Sequence, residues 1–145
     1  VVGQKWQWTF NQPYEGRNVF VSGTGEDIPD LVIPVDKTIE FQLRSPDVIH
    51  NFGIPAFAMR MDVVPGNKNS YQVTPTEIGD YDGKCYELCG AYHSRMLFNV
   101  KVVSEADYEA YLAGLAKDPD HVSDEPVEGG KYAKQPINDD EGEHE

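Results

Sequence analysis

Apolar and polar residues alternate along much of the first hundred positions. The clearest case is 38–43, where Ile39, Phe41 and Leu43 share one face and Glu40 and Gln42 the other. A period of two marks a half-buried strand. Segments 18–21, 31–35, 48–54, 70–73 and 96–103 read as further strands. Turn material separates them, at Ser22-Gly23-Thr24-Gly25, Ser45-Pro46-Asp47, Pro65-Gly66-Asn67 and Gly79-Asp80. Many short strands at this spacing predict an all-β sandwich or Greek-key barrel. One helix is expected after them. Ser104 can cap it, Asp107 three residues on resembles a capping box, and Tyr108, Tyr111, Leu112 and Leu115 form an apolar stripe that docks on the barrel.

The 145 residues suit a single domain with one core. No apolar run approaches the roughly 20 residues that cross a bilayer, and no basic-then-apolar leader opens the chain. The first residues are Val1-Val2-Gly3 rather than Met, which reads as a processed or cut piece, so a membrane span in the full-length protein is not excluded. After Lys117 the composition turns to Asp, Glu, Gly and Pro, too poor in apolar surface to offset its ordering entropy. The expected organisation is a barrel domain at 1–117 and an acidic, disordered tail or linker at 118–145, where His121 and His144 are solvated. The tail also carries most of the charge. Of the formal net −13, residues 118–145 hold ten carboxylates against Lys131 and Lys134, a net of −8, leaving −5 for 1–117. Without a Lys/Arg patch to release phosphate counterions, nucleic-acid binding is disfavoured.

The chemistry lies in Cys85-Tyr86-Glu87-Leu88-Cys89-Gly90-Ala91-Tyr92-His93-Ser94-Arg95-Met96, with His50 upstream at a strand end. Two thiols, an imidazole and a thioether within twelve residues are soft and borderline ligands, suited to copper or zinc and not to magnesium or calcium. Four readings compete. A helical core stripe at 85, 89, 93 and 96 is opposed by Gly83 and Gly90. A Cys85–Cys89 disulfide leaves His50, His93 and Met96 unused. A structural zinc site of Cys85, Cys89, His50 and His93 has no use for the methionine. A single copper uses two His, one Cys and a weak axial Met, which leaves one cysteine over. Two coppers bridged by both thiolates use every donor: each takes one histidine, with Met96 axial to one and a main-chain carbonyl axial to the other.

The pattern Cys-x-Glu-x-Cys-Gly-x-x-His-x-x-Met, with Asp47-Val48-Ile49-His50 and an aromatic upstream, resembles subunit II of the haem–copper cytochrome c oxidases. Lys5-Trp6-Gln7-Trp8 and Met61-Asp62-Val63-Val64-Pro65-Gly66 extend the likeness. The resemblance implies a cupredoxin-like Greek-key barrel carrying the dinuclear CuA centre. His50, Cys85, Cys89, His93 and Met96 would bind two copper ions through side chains and Glu87 through its main-chain carbonyl; the Glu87 side chain would help hold a magnesium ion only beside subunit I. Trp8 is implied as the residue that takes the electron from a cytochrome c donor, with Trp6 better suited to the core, and Asp47 as part of the docking surface. Tyr86, Phe52 and Asn11 depart from the commonest family residues, Asn11 standing where an acid is frequent.

The implied function is a one-electron relay from a cytochrome c-type donor to haem in oxidase subunit I. It would run on the periplasmic side of a bacterial membrane, in a protein anchored by N-terminal helices not present in this sequence. The fragment would be the electron-entry part of a proton-translocating cytochrome c oxidase, and by itself would relay electrons only. The alternatives are a mononuclear cupredoxin or copper-chaperone-like protein and the copper domain of a nitrous oxide reductase. No Cys-x-x-Cys-His occurs, so no c-type haem is attached within these residues.

Overall fold

A computed structural model describes residues 1–4, 7–24, 27–85 and 96–127. Strands β1 (Val2–Gln4), β2 (Gln7–Tyr14), β3 (Arg17–Thr24), β4 (Asp30–Pro34), β5 (Ile39–Leu43) and β6 (His50–Ile54) come first. They are followed by β7 (Met59–Val63), β8 (Asn69–Val73), β9 (Gly79–Cys85) and β10 (Leu97–Val103), then helix α1 (Glu105–Ala116) and a short β11 (Val122–Ser123). One sheet runs β1-β2-β3-β11, a second β4-β10-β9-β6-β7, and β5 pairs with β8. Among the described residues the fold is all-β, with one short α-helix.

Four of the six sequence-read strands, at 31–35, 38–43, 70–73 and 96–103, agree with β4, β5, β8 and β10 to within a residue at each end. Strand β9 overturns an expectation. Gly79-Asp80 reads as a turn, yet it opens a strand paired with β10 on one side and β6 on the other. Strand β10 supplies the ladder partners for Gly79 to Lys84 that Gly and Asp propensity alone would not secure, and β6 joins at Lys84 and Cys85. Gly83 is required there. It stands opposite Phe98, and a Cβ on it would lie 2.2 Å from that ring.

The space over Gly83 lets Phe98 lie flat against Phe52, with ring centroids 4.8 Å apart and planes within 2°. Trp8 meets both edge-on at 5.5 Å, and Phe10 and Phe41 extend the cluster. Offset and edge-on ring pairs add about 0.5–1.5 kcal/mol each beyond the area they bury. Around them pack Leu31, Ile33, Leu43, Ile54, Met59, Val63, Val100 and Val102, all buried.

The expected helix forms. Ser104 Oγ accepts from the Asp107 amide at 3.1 Å, and Leu112 is the buried residue of the stripe, facing β4, β2 and β3. Against the expectation of a tail from 118, the next residues rejoin the body. A 3-10 turn at Pro119–His121 leads into β11, which pairs with β3. Asn11 then pairs its side-chain amide with the Val127 backbone in both directions at 2.8 Å, and Asn18 joins Asn11 to Ser123. Side-chain amides hold this segment rather than buried apolar area, so composition could not reveal it. Residues 128–145, the rest of the expected tail, lie outside the described residues. No described helix is long and apolar enough to cross a membrane.

Candidate metal centre

His50 opens β6, whose five residues are all buried. The turn before it is tightly made. Asp47 Oδ1 accepts from the Val48 amide at 2.6 Å, and the Ser45 hydroxyl reaches both that carboxylate and the Val48 carbonyl. His50 Nε2 lies 2.9 Å from the same Asp47 oxygen, with the two side chains 0% and 2% exposed. A carboxylate only accepts here, so Nε2 carries the proton, and Nδ1 faces the Cys85 sulfur at 4.0 Å. Burial disfavours the imidazolium, but the hydrogen bonds and charges of Asp47 and Cys85 outweigh it, and the His50 pKa lies above the ordinary imidazole value.

Cys85 ends β9 directly opposite Phe52 of β6. The Asn51 amide donates to its sulfur at 3.4 Å, while the Asn51 side chain is tied to Asp62 across the β6–β7 pair at 2.9 Å. The Cys85 amide donates to the Met96 carbonyl at 3.1 Å, so the residues on either side of 86–95 are held together. The Trp8 indole N–H donates to the same carbonyl at 3.2 Å. Gly3 completes the wall, since a Cβ there would come within 2.9 Å of Trp8 and 3.2 Å of the His50 ring.

The structure thus places His50, Cys85 and Met96 at one buried edge of the second sheet. Glu87, Cys89 and His93 lie outside the described residues, as does Trp6. Trp8 is 0% exposed and belongs to the aromatic core. The Asp47 carboxylate is enclosed between His50, Ser45 and Val48. Asn51, Gly3 and Gly83 escaped the sequence reading because they act through a backbone amide or through the absence of a side chain.

An imidazole nitrogen and a thiol sulfur 4.0 Å apart are within reach of one ion, since bonds of about 2.0 and 2.3 Å span at most about 4.3 Å. With Met96 buried and its carbonyl bonded to the Cys85 amide, the donor types at this edge fit copper. Among the described residues no group of three or more His, Cys, Asp and Glu side chains converges on one point, so this part of the site is incomplete for any ion.

Comparison with known proteins bears on the same residues. The family described as cytochrome c oxidase subunit II, periplasmic domain, matches residues 25–103. The chain belongs to that family. A probable cytochrome c oxidase subunit 2 of Streptomyces coelicolor is 54% identical over 94 residues, covering 65% of this chain and 30% of that protein. The alternative cytochrome c oxidase subunit 2 of Bradyrhizobium diazoefficiens is 35% identical over 134 residues, covering 77% of this chain and 48% of that protein. The chain therefore spans less than half the length of these subunit II relatives. The crystal structure of the periplasmic domain of subunit II of cytochrome oxidase from Bradyrhizobium japonicum superposes with a TM-score of 0.73 at 28% identity, covering 80% of this chain and 90% of that one.

Proposed function

We propose that this chain is the electron-accepting domain of a haem–copper oxidase, taking one electron at a time from a cytochrome c-type donor and passing it to haem in subunit I. The observation that carries the reading is the buried meeting of His50 Nδ1 and Cys85 Sγ at 4.0 Å beside the Cys85–Met96 backbone bond. Two copper ions would be held by the side chains of His50, Cys85, Cys89, His93 and Met96 and by the main-chain carbonyl of Glu87. When bound, the pair supplies a one-electron couple whose charge is shared between two metals. The protein's part is to keep the donors still and dry. The Asn51 amide steadies negative charge on the Cys85 sulfur, since hydrogen bonding around a ligating sulfur tunes its potential. The packed rings of Trp8, Phe52 and Phe98 resist movement of the strands that carry the ligands.

With every ligand position filled by protein there is no place for oxygen, in contrast to an open catalytic metal site. The domain would face the periplasm, anchored by helices elsewhere in the full-length subunit, and the Glu87 side chain would bind magnesium only beside subunit I. Stopped-flow mixing of the oxidised, copper-loaded domain with reduced cytochrome c tests the reading. It predicts uptake of one electron per chain with no oxygen consumed. Failure to accept an electron, or steady oxygen consumption by the domain alone, overturns it.

A further inference from the structure

The geometry points to Asp47 as the positioning residue for His50: its buried carboxylate, fixed by the Ser45–Val48 turn, holds the imidazole with Nδ1 toward Cys85. This inference rests on the reading of His50 and Cys85 as metal ligands. It gives Asp47 a task at the metal edge.

An imidazole offers two nitrogens in two ring orientations. Half a turn about Cβ–Cγ exchanges Nδ1 with Cδ2 and Nε2 with Cε1, which would present carbon to the sulfur. Packing distinguishes these orientations poorly, because the ring has nearly the same outline in both. A hydrogen-bond acceptor distinguishes them well. Asp47 Oδ1 lies 2.9 Å from Nε2, and the flipped ring would set a C–H group against a buried carboxylate. The same bond selects the tautomer that leaves the Nδ1 lone pair available, the way outer carboxylates orient metal-bound histidines generally.

The carboxylate is itself held. It accepts the Val48 amide at 2.6 Å and the Ser45 hydroxyl at 3.2 Å, so three donors converge on one oxygen. Gly3 and Trp8 close the other side of the ring, with a Cβ on Gly3 only 3.2 Å from His50 Cδ2. Both partners are buried, the His50 and Asp47 side chains being 0% and 2% exposed.

The test is nitrogen-15 NMR of the metal-free and copper-loaded domain at a pH where the imidazole is neutral, with Asp47→Ala and Asp47→Asn beside the wild type. The wild type should show a slowly exchanging His50 Nε2–H signal in the metal-free protein. Asp47→Ala should lose it and bind copper about 10–100-fold more weakly. Asp47→Asn keeps an acceptor oxygen and should restore the signal and much of the affinity. A signal and copper affinity unchanged in Asp47→Ala would overturn the assignment. So would a wild-type ring protonated at Nδ1, a result that stands even if Asp47→Ala does not fold. Failure of the wild type to take up copper would count against the metal reading instead, since the metal-free spectra still decide what Asp47 does.

Discussion

The edge where β6 meets β9 and the hairpin β2–β3 with its C-terminal strap both bury polar side chains, but they use them differently. At the hairpin the polar groups complete one another. Asn11 matches the Val127 backbone in both directions, Asn18 bridges Asn11 and Ser123, and Thr9 meets Ser22 at 2.8 Å. Such a network holds a segment in place and needs nothing further. At the β6–β9 edge the hydrogen bonds arrange donors rather than consume them. Asp47 takes one side of His50, the Asn51 amide approaches the Cys85 sulfur, and Nδ1 and Sγ are left facing each other at 4.0 Å. That distance is long for a hydrogen bond and suitable for a shared ion. Buried polarity alone therefore does not mark a functional site; buried donors directed at a common point do.

The largest test of this contrast is Cys85→Ser, which should abolish copper uptake, measured as metal per chain after loading and desalting, while Asn11→Ala leaves uptake at the wild-type level. Full loading of Cys85→Ser would erase the distinction. Gly83→Ala comes next. Its Cβ would strike the Phe98 ring at 2.2 Å, and overpacking of this kind costs about 1–3 kcal/mol. Denaturant melts should show that loss, together with a disturbed copper spectrum, because Phe98 stacks on the Phe52 that faces Cys85. Asn11→Ala removes both bonds to Val127 and should cost about 1–2 kcal/mol. Amide exchange should speed up in 122–127 and not in β6.

The smallest effect is alkaline. Burial, then the charge of Asp30, pushes the Tyr111 pKa up to about 12. A folded pKa raised above the unfolded value near 10 means stability that is complete below pH 10 and lost as pH climbs toward 12. Tyr111→Phe should flatten that part of the stability–pH curve without altering the copper spectrum.

Legibility in the sequence follows the same division. Strand β5 was plain because Ile39, Phe41 and Leu43 alternate with polar residues, and the helix start was plain because Ser104 caps it. Strand β9 was not, because its Gly and Asp residues are made extended by pairing with β10 rather than by their own preference. The donor types at the metal edge can be read directly from Cys85, Met96 and His50. The burial of Trp8 and Asp47 cannot, since it depends on the pairing of β1 with β2, on the packing of β1 against β6 and on the space left by Gly3. The strap at 122–127 was hidden for a further reason: side-chain amides do the work that apolar burial does elsewhere.

The most direct test of the central claim is electron paramagnetic resonance of the copper-loaded domain together with its copper content. Two ions sharing both thiolates predict two coppers per chain and hyperfine structure from one unpaired electron spread over two copper nuclei. One copper per chain with splitting from a single nucleus, or retention of zinc in its place, would contradict it.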